Sequence, residues 1–367
     1  MLSVIHCTSC FHPYPASGVP YRCPDCGGIY DFATPPDFDP DQVDRSLPGM
    51  WRYRSAFDLP AAAPLVSLGE GLTPLLWDEF EGQKIGFKLE YLNSSGSYKD
   101  RGSAVLVSQL LARGVREAVE DSSGNAGASF AAYAARAGLR ARVYVPESAS
   151  GPKRIQIERY GAELRPIQGP RSAAAQAVLE EAQRGVPYAS HAYLPFGLAG
   201  IASIAYELWE QAGVVGSILA PVGHGGLLLG LVRGFAALKN RGLIERRPYF
   251  VGVQAAACAP LVNAFEHGME AIDATREGPT VAEGVRVSRP VRAEALLNEI
   301  PPADGTFLGV AEEKILPAAS ELAHKGIYVE PTSALVWAAF KQLSGKIPEP
   351  VILILSGSGF KVQPIHS

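Results

Sequence analysis

The stretch "SSGSYKDRG", residues 94–102, sets Lys99 behind Gly96 and four hydroxyl-bearing side chains, just ahead of a helical pattern. Beside Asp100 and Arg101, a lysine is ordinarily a solvated surface group. Its alternative use is chemical. Flexible small neighbours and desolvation favour a neutral amine, and a neutral amine condenses with an aldehyde. The choice between the two readings depends on what other loops the chain provides.

Three such loops stand out: "SSGNAG" (Ser122 to Gly127) before the Ala-rich pattern "ASFAAYAARAG", "GHGGLLLG" (Gly223 to Gly230) after the strand-like "SILAPV", and "SGSG" (Ser356 to Gly359) closing the last strand-like run. Glycines directly ahead of a helix leave backbone N–H groups bare, where the helix dipole also favours an anion. The Gly223 loop therefore suits a phosphate. A nucleotide fits poorly. No Gly-Lys-Ser/Thr ends any loop, and the strand-like "YFVGVQ" closes on Gln254 where a dinucleotide fold needs an acid for the ribose. Pyridoxal 5′-phosphate offers an aldehyde, a phosphate, a ring oxygen and a ring nitrogen, and Lys99 with the three loops supplies four anchors for it.

Around these loops, strand-like runs ("KIGFKLE", "RARVYVP", "SILAPVG", "PYFVGVQ", "VILILSG") alternate with helical patterns, among which "IASIAYELWEQ" places Ile201, Ile204, Ala205, Leu208 and Trp209 on one face. Alternation of this kind predicts parallel sheets covered by helices, with ligands at the carboxyl ends of the strands. At 367 residues, two core-forming units are expected. A net charge of −4 with mixed signs argues against nucleic-acid or membrane-surface partners and leaves a small molecule. No apolar run approaches the roughly 20 residues of a membrane span and no secretory pattern opens the chain, so a cytoplasmic protein is expected.

Four of the five cysteines fall within the first 26 residues. Cys7 and Cys10, then Cys23 and Cys26, form two CxxC pairs that can close one tetrahedral zinc site, a structural ribbon with no position left for substrate. Residues 33–64, rich in Pro, Asp and Ala, read as an irregular connector after a ribbon over 1–32. Cys258, in an Ala-rich helical pattern, reads as core.

At these residues the chain resembles the fold-type II pyridoxal-phosphate enzymes of the tryptophan-synthase-β fold, and among them the threonine synthases. The resemblance covers nearly the whole length and adds "GMWRYR", "SLGEGLTPL", "VGVQAAACAPLVNAF" and "GIYVEPTSA" to the loops. It implies two parallel-sheet α/β domains, a large one over 65–105 and 206–367 and a small one over 106–205, with the cofactor in the cleft and a zinc ribbon appended. It implies that Lys99 forms the internal aldimine, that Asn125 bonds the ring oxygen, that Gly223, His224, Gly225, Gly226 and Leu227 hold the phosphate, and that the Ser356 hydroxyl lies opposite the ring nitrogen. Ser122, Ser123, Gly124 and Ala126 would face the carboxylate of an amino-acid substrate. The implied reaction converts O-phosphohomoserine and water to threonine and phosphate, in a homodimer.

The pattern departs from that family in one respect. The segment "SHAYLPFGLAGIAS" offers His191, Tyr193 and Ser203 where a substrate phosphate calls for arginine, and "PESASGPKRIQIERYGAEL" and "TVAEGVRV" look more like threonine or serine ammonia-lyases. Lys153 and Arg154 could compensate. A dianion buried without basic partners costs several kcal/mol, so elimination on serine or threonine, or β-replacement on a related amino acid, stands as the alternative. His224 as a lone histidine has an equally plain structural account, and Glu330 is expected to cap or orient the segment it opens.

Overall fold

The computed structural model describes residues 4–34, 37–149, 151–273, 275 and 277–362. Pro35 and Pro36 of the expected connector, Ser150 ahead of Lys153, and the chain ends lie outside the described residues. In chain order the strands are β1 (Ile5–Cys7), β2 (Tyr30–Phe32), β3 (Leu75–Phe80), β4 (Gln83–Lys88), β5 (Glu117–Glu120), β6 (Arg140–Pro146), β7 (Glu163–Ile167), β8 (Ser217–Pro221), β9 (Tyr249–Ala255), β10 (Gly305–Val310) and β11 (Val351–Ile354). The helices are α1 (Lys99–Ala112), α2 (Asn125–Ala137), α3 (Pro152–Arg159), α4 (Arg171–Gln183), α5 (Phe196–Ala212), α6 (Gly226–Asn240), α7 (Pro260–His267), α8 (Ala293–Glu299), α9 (Ile315–His324) and α10 (Pro331–Leu343).

Contacts group the chain into two units, one of residues up to Gly71 with Lys99–Gly200, the other of Leu72–Tyr98 with Ile201–Lys361. The division thus falls at Lys99 and Gly200 rather than at the boundaries of 105 and 205 read from the sequence. Helix α1 packs against α2, which draws residues 99–105 into the first unit. The first unit holds a parallel three-stranded sheet, β5-β6-β7, and the two-stranded antiparallel ribbon β1-β2. The ribbon is no loose appendage. Tyr14 packs edge-on against Phe196, and Arg113 donates to the carbonyls of Pro15 and Gly18. The expected connector also contributes to the core: Trp51 and Tyr53, in a 3-10 segment over Gly49–Ala56, are fully buried because "GMWRYR" carries aromatic bulk that polar neighbours mask in the sequence.

The second unit holds a six-stranded sheet in the order β10-β9-β8-β11-β4-β3. All its pairs are parallel except β3 with β4 at one edge, so the parallel-sheet α/β reading holds. Glu81 and Gly82 both have positive φ, 51° and 80°, and so form the tight turn that folds β3 back along the edge. Trp337 and Phe340 of α10 pack on Phe80, with Phe87 beside Trp337, at the heart of this unit's core. Cys258 is core, as expected, but lies in the turn before α7 rather than in a helix, since Pro260 opens that helix.

Candidate functional site

In the first unit, Lys99 is the first residue of α1 and half-buried, while its neighbours Asp100 and Arg101 are fully buried. Lys99 thus stands beside two buried charged groups rather than on an open surface. Ser129 Oγ of α2 donates to Asp100 Oδ1 at 2.6 Å and lies 2.8 Å from Ser103 Oγ, pinning the first turn of α1 to α2. The start of α5 presses on the same turn. A Cβ at Gly200 would sit 2.1 Å from Arg101 O, a contact that only glycine permits.

The asparagine loop connects β5 to α2. Ser122 Oγ accepts from Gly124 N–H at 3.2 Å, and Asn125 and Ala126 open the helix, so the first N–H groups of α2 point out of the loop. Gly127 is required here: a Cβ would fall 1.8 Å from Ser122 O. Behind the loop, Tyr133 donates to Glu70 Oε2 at 2.7 Å, and Met50 N–H donates to Glu70 O at 2.8 Å. These bonds explain why "GMWRYR" and "SLGEGLTPL" belong to one structural assembly.

Two residues the sequence reading did not join meet beside this loop. Glu120, the last residue of β5 and 1% exposed, places Oε1 3.1 Å from His191 Nδ1. Burial drives its carboxyl well above the usual range, with Asp121 adding to the rise and Lys99 and Arg171 opposing it. No spacing rule could have paired positions 71 residues apart. Tyr193, also expected near substrate, instead receives the Arg22 guanidinium of the ribbon, 4.9 Å over its ring, and Ser203 is buried in α5. Arg154 donates to Ala149 O at 2.9 Å and pairs with Glu158, which commits it to its own loop and helix.

In the second unit, the loop Gly223–Leu227 leads from β8 into α6. Gly225 has φ 99°, and a Cβ there would meet Leu296 Cδ1 at 2.8 Å. A Cβ at Gly223 would meet Gly284 O at 2.7 Å. The loop is thus walled on one side and held on another, where His224 O accepts from Arg292 N–H at 3.0 Å. Arg292 is itself buried, a basic residue beside the loop that the sequence reading passed over. Gln254, where the ribose acid would stand, donates to Val222 O and accepts from Leu261 N–H, fastening the base of the loop.

Ser356 follows β11 and is buried, its Oγ 3.0 Å from Ser333 Oγ of α10. The same serine Ser333 accepts from Gly357 N–H at 2.8 Å. Tyr98 N–H donates to Ser356 O at 3.0 Å, and the next residue in the chain is Lys99. Glu330 stands at the N-cap of α10 without a side-chain capping bond; its carboxylate instead lies at Gly357, where a Cβ would be 2.2 Å from Glu330 Oε1. Each unit, taken by itself, offers groups of the kinds that pyridoxal phosphate needs: the first an amine, the second a bare helix N-terminus behind glycines that a side chain would fill and a buried hydroxyl at a strand end.

In the ribbon, the four Sγ atoms of Cys7, Cys10, Cys23 and Cys26 lie within 4.8 Å of one another. Tetrahedral Zn–S bonds of about 2.3 Å place sulfurs roughly 3.8 Å apart, so the cluster has the span of one metal ion.

The chain belongs to the pyridoxal-phosphate dependent enzyme family, whose model matches residues 66–357. It is therefore an enzyme of fold type II. Among its relatives, the threonine synthase of Methanocaldococcus jannaschii is 33% identical over 97% of this chain and 92% of its own. That of Methanosarcina acetivorans is 32% identical over 92% and 86%. Among solved structures, a T.th. threonine deaminase superimposes with a TM-score of 0.68 at 28% identity, covering 80% of this chain and 94% of that one.

Proposed function

We propose that this enzyme is a lyase of the threonine synthase type, forming threonine and phosphate from O-phosphohomoserine and water. The observation that supports the reading best is the 33% identity to a threonine synthase across 97% of the chain, ribbon included. Bound pyridoxal phosphate supplies the electron sink that makes the protons of substrate carbons labile.

The chain's own residues do the rest. Lys99 binds the cofactor through its amine and, when released, takes and returns carbon-bound protons. The Ser122–Ala126 loop receives the substrate carboxylate on the bare N–H groups of α2, and Asn125 orients the ring by its oxygen. Gly223 to Leu227 grip the cofactor phosphate at the start of α6. Ser356, backed by Ser333, offers the ring nitrogen a neutral hydroxyl rather than a carboxylate, which favours elimination over transamination. Cys7, Cys10, Cys23 and Cys26 hold a structural zinc ion. The working form is a cytoplasmic homodimer.

A second reading, ammonia release from threonine or serine, is favoured by one specific observation: Arg154, one of the two basic residues read as compensating a substrate phosphate, is engaged by Ala149 O and Glu158 of its own segment. The test is a substrate panel on purified holoenzyme. Phosphate released from O-phosphohomoserine supports the first reading, and 2-oxobutyrate from threonine without phosphate release supports the second.

A further inference from the structure

Glu120 carries a feature that nothing in the cofactor scheme uses. Its Oε1 is held at His191 Nδ1, while Oε2 is buried and has no hydrogen-bond partner among the described residues. Such an orphaned buried oxygen is rare in a folded protein, and it marks a place where a ligand or water completes the bonding. The location is informative. Glu120 ends β5 of a parallel sheet, at the carboxyl edge where α/β proteins bind ligands, and the Ser122–Ala126 loop follows directly.

We propose that Glu120, held by His191, is a second acid–base group of this enzyme, acting on the oxygen attached to the substrate's β carbon while Lys99 handles carbon-bound protons. This rests on Lys99 being the cofactor lysine. In the direction of water addition, the Glu120 carboxylate accepts a proton from the attacking water. One O–H bond breaks, the oxygen's electron pair forms the new bond to the β carbon, the pair displaced there passes into the conjugated substrate, and the proton rests on Oε2. In reverse, the carboxylic acid returns that proton to a departing hydroxyl, which leaves as water with the electron pair of the broken C–O bond. The same group therefore serves threonine formation and the dehydration of serine or threonine.

The charged and titratable groups facing Glu120 are Asp121 directly after its own strand, Lys99 from α1, Arg171 from α4, and Tyr188 and His191 from the segment before α5. Burial and Asp121 favour the protonated acid, against Lys99 and Arg171. His191 fixes the carboxyl plane by holding one oxygen, so the other is the one that exchanges.

The test uses holoenzyme variants Glu120→Gln and His191→Gln. Without substrate, the pH at which the visible cofactor band titrates is expected to fall in Glu120→Gln, because an ionised carboxylate near Lys99 favours positive charge there and glutamine does not. With whichever substrate the wild-type enzyme turns over, kcat is expected to fall about 100-fold with KM changed less than about threefold. The limb of the kcat–pH profile assigned to Glu120 should also disappear. His191→Gln should move both readouts the same way by less, and it carries the test if Glu120→Gln does not fold. A superimposable band titration together with kcat within about twofold of wild type overturns the proposal. The substrate-free titration stays decisive even if O-phosphohomoserine is not a substrate, so the two readings fail separately.

Discussion

Ser333 Oγ and Ser356 Oγ lie 3.0 Å apart, buried in the second unit and joined to the Gly357 backbone by the Ser333 hydroxyl. Ser356 therefore has its position set by α10 as well as by its own loop, and as the proposed partner of the ring nitrogen it would depend on Ser333. Replacing Ser333 by Ala leaves the Gly357 N–H without its acceptor, at a cost of about 2 kcal/mol. Urea unfolding of Ser333→Ala should show that loss, and titration of apoenzyme with cofactor should show weakened binding. A cofactor affinity equal to wild type would contradict the arrangement.

Gly127 is expected to be irreplaceable where Gly124 is not. An added Cβ at Gly127 falls 1.8 Å from Ser122 O, whereas at Gly124 the nearest atom is Ser122 Oγ at 3.7 Å. Backbone cannot yield as a side chain can, so Gly127→Ala should cost about 3 kcal/mol and raise KM by deforming the loop. Gly124→Ala should be far milder. Thermal melts and steady-state kinetics of the two variants provide the comparison.

Much of this was legible in the chain, and the exceptions have physical causes. The β-branched run Arg140–Pro146 is β6 to the residue, and Tyr249–Ala255 is within one residue of the run read there, because alternating apolar side chains bounded by turn residues are a local signal. Strand β5, "EAVE", escaped notice: it is short, and its two glutamates hide that three of its four residues are buried. The glycine loops were legible as turns that lead into α2 and α6. The Glu120–His191 and Ser333–Ser356 pairs were not, since tertiary contact alone brings them together across 71 and 23 residues. The ribbon's cysteines were plain from spacing, but its docking through Tyr14, Arg22 and Arg113 depends on aromatic faces distant in the chain.

Through that docking, the zinc proposed for the ribbon would act beyond it. Tyr21 packs on Tyr188 and Tyr193, and Arg22 covers Tyr193, so loss of the ion should loosen residues 188–196. Mass spectrometry is expected to show one zinc per chain, lost in Cys10→Ser. The melting temperature should drop by about 3 °C or more, with faster amide exchange in 188–196. Unchanged exchange there would show that the ribbon is independent of the segment.

Stability should depend on pH through Glu120 in a direction opposite to that of ordinary carboxylates. Its folded carboxyl binds a proton more tightly than the ordinary value of 4.5, mainly because it is buried, so above that value the folded state holds a proton that the unfolded state has released. Stability is thus fully present below 4.5 and is lost as pH rises toward and through the folded value. Glu120→Gln removes that loss. The melting temperature of the variant minus that of wild type should grow as pH rises from about 4.5, and a flat difference would contradict the buried, proton-bearing state.

The central claim is that Lys99 carries the cofactor. Borohydride reduction of the yellow holoenzyme, followed by digestion and peptide mass spectrometry, tests it directly. The account predicts one phosphopyridoxyl group, on the peptide containing Lys99, and a Lys99→Ala protein that folds but takes up no reducible cofactor. A label on another lysine, or none on wild-type protein incubated with pyridoxal phosphate, would contradict it.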